Sequence, residues 1–173
     1  MTRHVVLVGM MGTGKTTVGR LLAARLGRAL VDSDELIESQ AGRTVREIWL
    51  TDGEPVFRVL ETAALRDALA EPDPLVIAAA GGVVLSAGNR AALRDADALV
   101  VWMRAAPGVL VGRVGRAEHR PLLDDDPAAT LRRMQNEREP LYREVADVVL
   151  DTDVLSPAEV VERIAVLVGE GEP

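Results

Sequence analysis

The sequence contains no cysteine, which excludes disulfide bonds and thiolate metal sites. It also lacks an apolar run of the roughly 20 residues that a membrane-spanning helix needs. The start Met1-Thr2-Arg3-His4 leads straight into an apolar stretch and leaves no room for a signal peptide. A net charge of −7 at pH 7 disfavours binding to nucleic acid or to an anionic membrane. We therefore expect a cytoplasmic protein without nucleic-acid or membrane partners, and we expect it to be a monomer.

Lysine is almost absent as well: Lys15 is the only one, and the other 19 basic residues are arginines. Lys15 belongs to the run Gly9-Met10-Met11-Gly12-Thr13-Gly14-Lys15-Thr16, which matches G-x-x-x-x-G-K-[ST]. The apolar run Val5–Val8 before it predicts a buried strand, and helical spacing follows it. A plain turn between strand and helix is the alternative. The position of the single compact ammonium favours a phosphate-binding loop, with Lys15 on the β- and γ-phosphates and Thr16 on Mg²⁺.

Length and patterning indicate one α/β domain. At 173 residues, 48% hydrophobic and 27% charged, the chain suits a single domain that we expect to span residues 1–173, with residues 169–173 as a frayed tail. Apolar runs alternate with helical patterns, which predicts three layers around a parallel sheet. The predicted strands are His4–Val8, Ala29–Val31, Leu75–Ala79, Ala98–Trp102 and Val148–Leu150. The predicted helices are Lys15–Leu26, Glu35–Gln40, Val45–Leu50, Pro55–Ala70, Ser86–Arg94, Pro107–Val114, Pro127–Arg138 and Pro157–Val168.

Two carboxylates close the second predicted strand. If Asp32 and Asp34 both lie on that strand, they share a face at the carboxyl edge of the sheet, where such sheets bind ligands. Asp32 could then hold Mg²⁺ through water, and Asp34 could accept a proton from a substrate hydroxyl. The alternative is that one of them only caps the next helix, and both roles can coexist.

Three later segments carry weaker signals. Arg58 and Glu61 can pair on one helix so that Glu61 fixes the guanidinium, but spacing alone favours an ordinary surface pair, either Glu54–Arg58 or Arg58–Glu61. Gly81 and Gly82 follow the third predicted strand, where they would let a ligand approach the backbone; a plain turn fits equally well.

The third segment, Arg113 to Leu123, is a basic loop that could act as a lid or be a solvated loop. Further along the chain, Pro140 predicts a helix break that leaves Arg138 near a helix end.

Together, these segments resemble the shikimate kinase family from Val5 to about Val168. The resemblance rests on the ordered set of the phosphate loop, Asp32-Ser33-Asp34, Asp52-Gly53-Glu54 with Phe57-Arg58 and Glu61, Ala80-Gly81-Gly82, Arg120-Pro121-Leu122-Leu123 and Arg138-Glu139-Pro140-Leu141-Tyr142. It implies a P-loop kinase fold with a five-stranded parallel sheet in the order 2-3-1-4-5. It also implies a substrate-binding region at about 33–61 and a lid at about 113–124.

The resemblance further implies transfer of the γ-phosphoryl group of ATP to the 3-hydroxyl of shikimate, with Mg²⁺. The residues it places at the ATP phosphates are Gly12, Thr13, Gly14, Lys15, Thr16 and Thr17. It places Arg120 on the lid near the phosphates, Arg113 beside adenine, and Thr16 with Asp32 at Mg²⁺. The residues it assigns to shikimate binding are Asp34, Arg58, Gly81, Gly82 and Arg138. Asp34 is the candidate base, and Glu61 would orient Arg58. Lys15, Asp34 and Arg120 are thus the candidate catalytic residues.

The chain departs from the family pattern at three positions, and two functions other than shikimate phosphorylation are alternatives. Ala80 stands where the family usually has glycine, Ala78 where a serine or threonine is common, and Trp49 where phenylalanine is more usual. A gluconate kinase shares the phosphate loop and the general fold. The alternative from another functional class is a catalytically silent relative that only senses nucleotide. The intact Lys15 and Asp34 argue against it.

Overall fold

The computed structural model describes residues 3–114 and 126–169. The strands are β1 (His4–Val8), β2 (Leu30–Asp32), β3 (Val76–Ala78), β4 (Ala98–Arg104) and β5 (Val148–Asp151). The helices are α1 (Lys15–Leu26), α2 (Ser33–Ala41), α3 (Val45–Thr51), α4 (Glu54–Ala70), α5 (Ala87–Asp95), α6 (Pro107–Val114), α7 (Pro127–Val145) and α8 (Pro157–Gly169). A short 3₁₀ turn covers Val83–Leu85.

The five strands form one parallel sheet in the order β2-β3-β1-β4-β5. β1 lies in the middle, where Val5 pairs with Val76 on one side and with Leu99 on the other. All five residues of β1 are buried, as expected for an apolar strand covered on both faces. The sheet order that the family resemblance implies is therefore confirmed.

Helices cover both faces of the sheet because successive side chains of a strand point to opposite sides. Val6 and Val8 pack into a core with residues of α4, α5, α6 and α7, while Val5 and Leu7 pack into a second core with α1 and α8. A smaller apolar cluster joins α2, α3 and α4 beside the sheet through residues such as Ile37 and Phe57. None of the helices in the described ranges is long and apolar enough to cross a membrane.

One predicted helix bound is wrong: α7 does not break at Pro140 but continues to Val145. Because proline has no backbone N–H, the helical hydrogen bond from position 140 to the carbonyl of Asn136 is missing. Both Pro140 and Asn136 are exposed, so water can bond that carbonyl, while Tyr142 and Val145 beyond the proline are buried in the core. Arg138 therefore lies inside a helix rather than at its end. The other predicted bounds agree with the structure to within two residues.

Candidate active site

The loop between β1 and α1 has a conformation that glycine makes possible. Gly9, Gly12 and Gly14 have φ angles of 146°, 83° and 90°. A Cβ atom at Gly9 would lie only 2.3 Å from the carbonyl oxygen of Met103, and one at Gly12 would lie 2.8 Å from Cγ2 of Val114. The strand–loop–helix arrangement expected for a phosphate-binding loop is present.

The start of α1 is suited to binding an anion. No side chain among the described residues caps this helix, and its first turn contains no acidic residue. Its free N–H groups and positive dipole end therefore favour negative charge. Lys15, the first residue of α1, donates from Nζ to the carbonyl oxygens of Gly9 and Met10, at 2.9 Å each. The buried Thr13 hydroxyl also donates to the Met10 carbonyl, at 2.9 Å, and so fixes the loop.

Asp32 connects the phosphate loop to α2. Its Oδ2 accepts a 2.6 Å hydrogen bond from the Thr16 hydroxyl, and its Oδ1 accepts from the backbone N–H groups of Asp34 and Glu35. Asp32 is thus the last residue of β2 and also the cap of α2, which begins at Ser33. The expectation that Asp32 and Asp34 alternate along one strand is wrong, because this cap starts the helix at once. Asp34 lies in the first helical turn instead.

The carboxyl ends of β1, β2 and β3 enclose a cleft of about 320 Å³. The charged and hydroxyl-bearing side chains that line it are Lys15, Thr16, Thr17, Asp32, Asp34 and Arg113, and the backbone of Gly12, Gly14, Ala78 and Gly81 lines it as well. The structure therefore brings the phosphate-loop residues and both aspartates to one place, as the sequence predicts.

Arg113 lines both this cleft and a second cavity of about 220 Å³, whose other lining residues include Thr17, Thr152 and Pro157. Its guanidinium donates to the Gly12 carbonyl at 3.3 Å, to the Thr152 hydroxyl at 3.1 Å and to the Thr152 carbonyl at 2.8 Å. Sequence reasoning missed Thr152, which lies 39 residues from Arg113 and has no local pattern to mark it.

Arg58 is held on several sides. Its Nη1 donates to both carboxylate oxygens of Glu61, at 3.0 and 3.1 Å, and its Nε and Nη2 donate to Glu54 at 3.1 and 3.0 Å. Its guanidinium also lies 5.5 Å from the ring centroid of Trp49 and 5.6 Å from that of Phe57, which is cation–π distance. Glu54 is half exposed, so its pair with Arg58 is the expected surface pair, but the Glu61 side chain is only 2% exposed and a surface pair is the wrong description of Arg58–Glu61.

Glu61 ties two arginines and Asp34 into one electrostatic cluster. Burial raises the pKa of the Glu61 carboxyl, while the charge and hydrogen bonds of Arg58 and the charge of Arg138 act to lower it. The charge of Asp34 adds to the rise. A buried carboxylate of this kind needs cationic neighbours, so Glu61 fixes where the guanidinium groups lie.

Gly81 and Gly82 are a site of close approach rather than a plain turn. A Cβ atom on Gly82 would lie 1.9 Å from Nη1 of Arg58, so the guanidinium passes directly over this backbone. A Cβ atom on Gly81 would lie 3.3 Å from the Gly9 carbonyl oxygen and 3.6 Å from Nη1 of Arg138. Arg58, Arg138 and the phosphate loop therefore converge on these two glycines.

Arg138 is 5% exposed, and its buried Nε has no hydrogen-bond partner among the residues described. Four residues later on α7, the Tyr142 hydroxyl donates to the Gly81 carbonyl at 2.5 Å. Sequence reasoning gave Tyr142 no role, although its i, i+4 spacing from Arg138 places both on one helix face. Residues 115–124 of the expected lid, with Arg120 among them, lie outside the described residues, as do residues 170–173 of the expected tail.

Comparisons with known proteins agree on one family. A family model described as shikimate kinase matches residues 11–168. A shikimate kinase from Pseudomonas savastanoi pv. phaseolicola is 45% identical over 172 residues, which cover 99% of each chain. The structure of a shikimate kinase from Acinetobacter baumannii in complex with shikimate matches with a TM-score of 0.93 at 36% identity, covering 99% of this chain and 96% of the other. A gluconokinase from Sinorhizobium meliloti matches with a TM-score of 0.57 at 17% identity, covering 98% and 93%, which shows the fold alone.

Proposed function

The chain belongs to the shikimate kinase family, and on that premise we propose how its residues carry out the reaction. The enzyme transfers the γ-phosphoryl group of ATP to the 3-hydroxyl of shikimate and so acts in the biosynthesis of chorismate and aromatic amino acids. Gluconate phosphorylation and a silent nucleotide-sensing role, the two alternatives, have no comparable support. The observation that carries the residue assignments is the single cleft shared by Lys15, Thr16, Asp32 and Asp34.

ATP would bind with its phosphates on residues 12–17. The support is the glycine-shaped loop, the uncapped start of α1 and the ammonium of Lys15. The adenine would lie in the neighbouring cavity beside Arg113, whose guanidinium is already held by Gly12 and Thr152. Arg120 stays a candidate for the charge that the lid brings to the phosphates.

Thr16 and Asp32 would hold Mg²⁺. The Thr16 hydroxyl donates its hydrogen bond to Asp32, which leaves the lone pairs of the hydroxyl oxygen available for a metal ion. Among the described residues there is no group of three or more His, Cys, Asp or Glu side chains that could form a complete metal cage. That fits Mg²⁺, which takes few protein ligands and keeps phosphate oxygens and water in its shell, where it neutralises the charge of the transferring group.

Shikimate would lie over Gly81 and Gly82, with its carboxylate on Arg58 and Arg138. Both guanidinium groups approach these glycines through Nη1, and the buried Nε of Arg138 has no hydrogen-bond partner among the described residues. Two arginines can offer charge-assisted, bidentate bonds to a carboxylate. Glu61 would orient Arg58, and Asp34, which lines the cleft, would hold the hydroxyls.

In the reaction, Asp34 would accept the proton of the 3-hydroxyl as the hydroxyl oxygen attacks the γ-phosphorus, while the bond from the γ-phosphorus to the β–γ bridging oxygen breaks and ADP leaves. Lys15 would balance the charge that builds between the β- and γ-phosphates. Positioning and charge stabilisation provide most of the acceleration in phosphoryl transfer, so these groups suffice without a covalent intermediate.

The direct test of the activity is ADP release by the purified protein with shikimate, gluconate, quinate or no acceptor. We expect rapid release with shikimate, slow release with the others, and loss of activity when EDTA removes Mg²⁺. Faster release with gluconate would contradict the assignment of the acceptor, and full activity in EDTA would contradict the metal site.

The substrate arginines can be tested by binding. In Arg58→Ala or Arg138→Ala, loss of a charge-assisted contact to a carboxylate should weaken shikimate binding by about 2–3 kcal/mol, or roughly 30–150-fold. ATP binding should change little, and calorimetric titration of each ligand measures both effects. The matched control is Arg163→Ala, which removes an exposed arginine from α8. Equal loss of affinity for ATP and shikimate would contradict the assignment of these arginines.

A further inference from the structure

Tyr142, the only tyrosine of the chain, is packed so that its hydroxyl has a fixed position. The residue is 1% exposed and belongs to the apolar core between the sheet and α7. Its ring stacks on Trp102 of β4, with 5.8 Å between the ring centroids and 25° between the planes. Since the ring cannot shift without disturbing that core, the hydroxyl is held as rigidly as the sheet itself.

That hydroxyl connects two parts of the substrate site. It donates to the carbonyl oxygen of Gly81 at 2.5 Å. Burial raises its pKa well above the usual range, while the charge and hydrogen bonding of Arg138 act to lower it. The group therefore stays protonated at physiological pH and keeps its donor role.

Gly81 lies between the phosphate loop and Arg138. A Cβ atom on it would lie 3.3 Å from the Gly9 carbonyl oxygen, 3.6 Å from the Met11 backbone nitrogen and 3.6 Å from Nη1 of Arg138. The Gly81 backbone therefore borders the space that the Arg138 guanidinium occupies. Arg138 itself is buried one helical turn before Tyr142, and so both side chains meet Gly81 from the same face of α7.

We propose that Tyr142 is a positioning residue for the acceptor: its hydroxyl, by holding Gly81 and bordering Arg138, keeps that guanidinium in the geometry that binds the shikimate carboxylate. The inference rests on the proposed role of Arg138 and adds to it. Tyr142 does not touch the reacting atoms, and it acts through Arg138. Its contribution is therefore to the binding of shikimate and not to the transfer step.

The test is Tyr142→Phe, which removes one oxygen atom and keeps the ring. Losing one well-made hydrogen bond should raise the Kd and the KM for shikimate about tenfold. The kcat and the affinity for ATP should stay within about twofold, because the lost contact binds ground state and transition state alike. Unchanged shikimate affinity, or a fall in kcat at constant KM, would overturn the proposal.

A loss of stability alone must be separated from a loss of positioning. The matched control is Ile164→Val, at a fully buried site of α8 in the core on the other face of the sheet. This change should lower the Tm by about 2–4 °C. If the effect of Tyr142→Phe were merely structural, the control with a similar Tm would show the same rise in KM. We expect that it shows none.

A double-mutant cycle tests whether Tyr142 acts through Arg138. In the Arg138→Ala background, Tyr142→Phe should have almost no further effect on shikimate affinity, since the positioned group is gone. A tenfold loss that persists in this background would overturn the proposal while leaving Arg138 as a substrate ligand. If Arg138→Ala itself binds shikimate normally, the assignment of Arg138 fails and the role of Tyr142 fails with it.

Discussion

Replacing Lys15 with alanine should reduce phosphoryl transfer by about a thousandfold or more while the protein stays folded. One preorganised donor at a developing charge contributes about 10²–10³ in kcat, and Lys15 brings a full positive charge in addition. Its ammonium lies at a loop–helix junction, where it donates hydrogen bonds to the carbonyls of Gly9 and Met10. Because Lys15 is partly exposed, water can bond those carbonyls in its absence.

The measurement is ADP release with saturating ATP and shikimate, together with a thermal melt of the same sample. Lys15→Arg is the matched comparison, since it keeps the charge but replaces a compact ammonium with a planar guanidinium. We expect it to recover only a small part of the activity. Near-normal transfer by Lys15→Ala would contradict the phosphate-loop assignment. A melting temperature that falls by tens of degrees would mean that Lys15 is a structural residue.

The fold could be predicted largely because its signals are local. The phosphate loop is encoded within eight residues, and the strand before it is apolar throughout because both faces are covered. The pairing order of the strands is not a local signal, because no pattern within one strand predicts which other strand it will pair with. That order came from the family resemblance and not from periodicity.

The errors arose where tertiary packing overrides a local rule. Pro140 breaks a helix in isolation, but here its face is exposed and the buried residues beyond it, Tyr142 and Val145, keep α7 continuous. The sequence leaves open whether Asp32 alternates with Asp34 along the strand or caps the next helix, and in the structure its side chain caps α2 and ends the strand. In both cases, the outcome depends on contacts that the sequence pattern does not contain.

The site was predictable in its residue types but not in its connections. The spacing of Arg58 and Glu61 allows a pair, whereas the burial that gives the pair its importance comes from the packing of α4 and from Gly82. The bond from Tyr142 to Gly81 joins residues 61 positions apart, and that from Arg113 to Thr152 joins residues 39 apart. Such contacts exist only once the sheet has assembled.

Asp34 should be the residue whose conservative replacement costs most after Lys15. It lies in the first turn of α2, exposed to the cleft that also contains Lys15 and Thr16. Asp34→Asn keeps the size and one acceptor oxygen but removes the base. General-base catalysis contributes about 10²–10⁴-fold, so we expect kcat to fall by about a thousandfold. The KM for shikimate should rise by much less, because the amide can still bond the hydroxyls.

Glu61→Gln is the informative comparison, because it removes a second negative charge from the same cluster without removing a group that lines the cleft. Since Glu61 acts by holding Arg58, we expect this variant to raise the KM for shikimate and to leave kcat within about tenfold of normal. Steady-state kinetics with both substrates varied separates the two patterns. If Asp34→Asn also changes mainly KM, then Asp34 orients the hydroxyl without taking its proton. In that case the transition state is reached by positioning and charge alone, with the proton leaving on the transferred phosphoryl group.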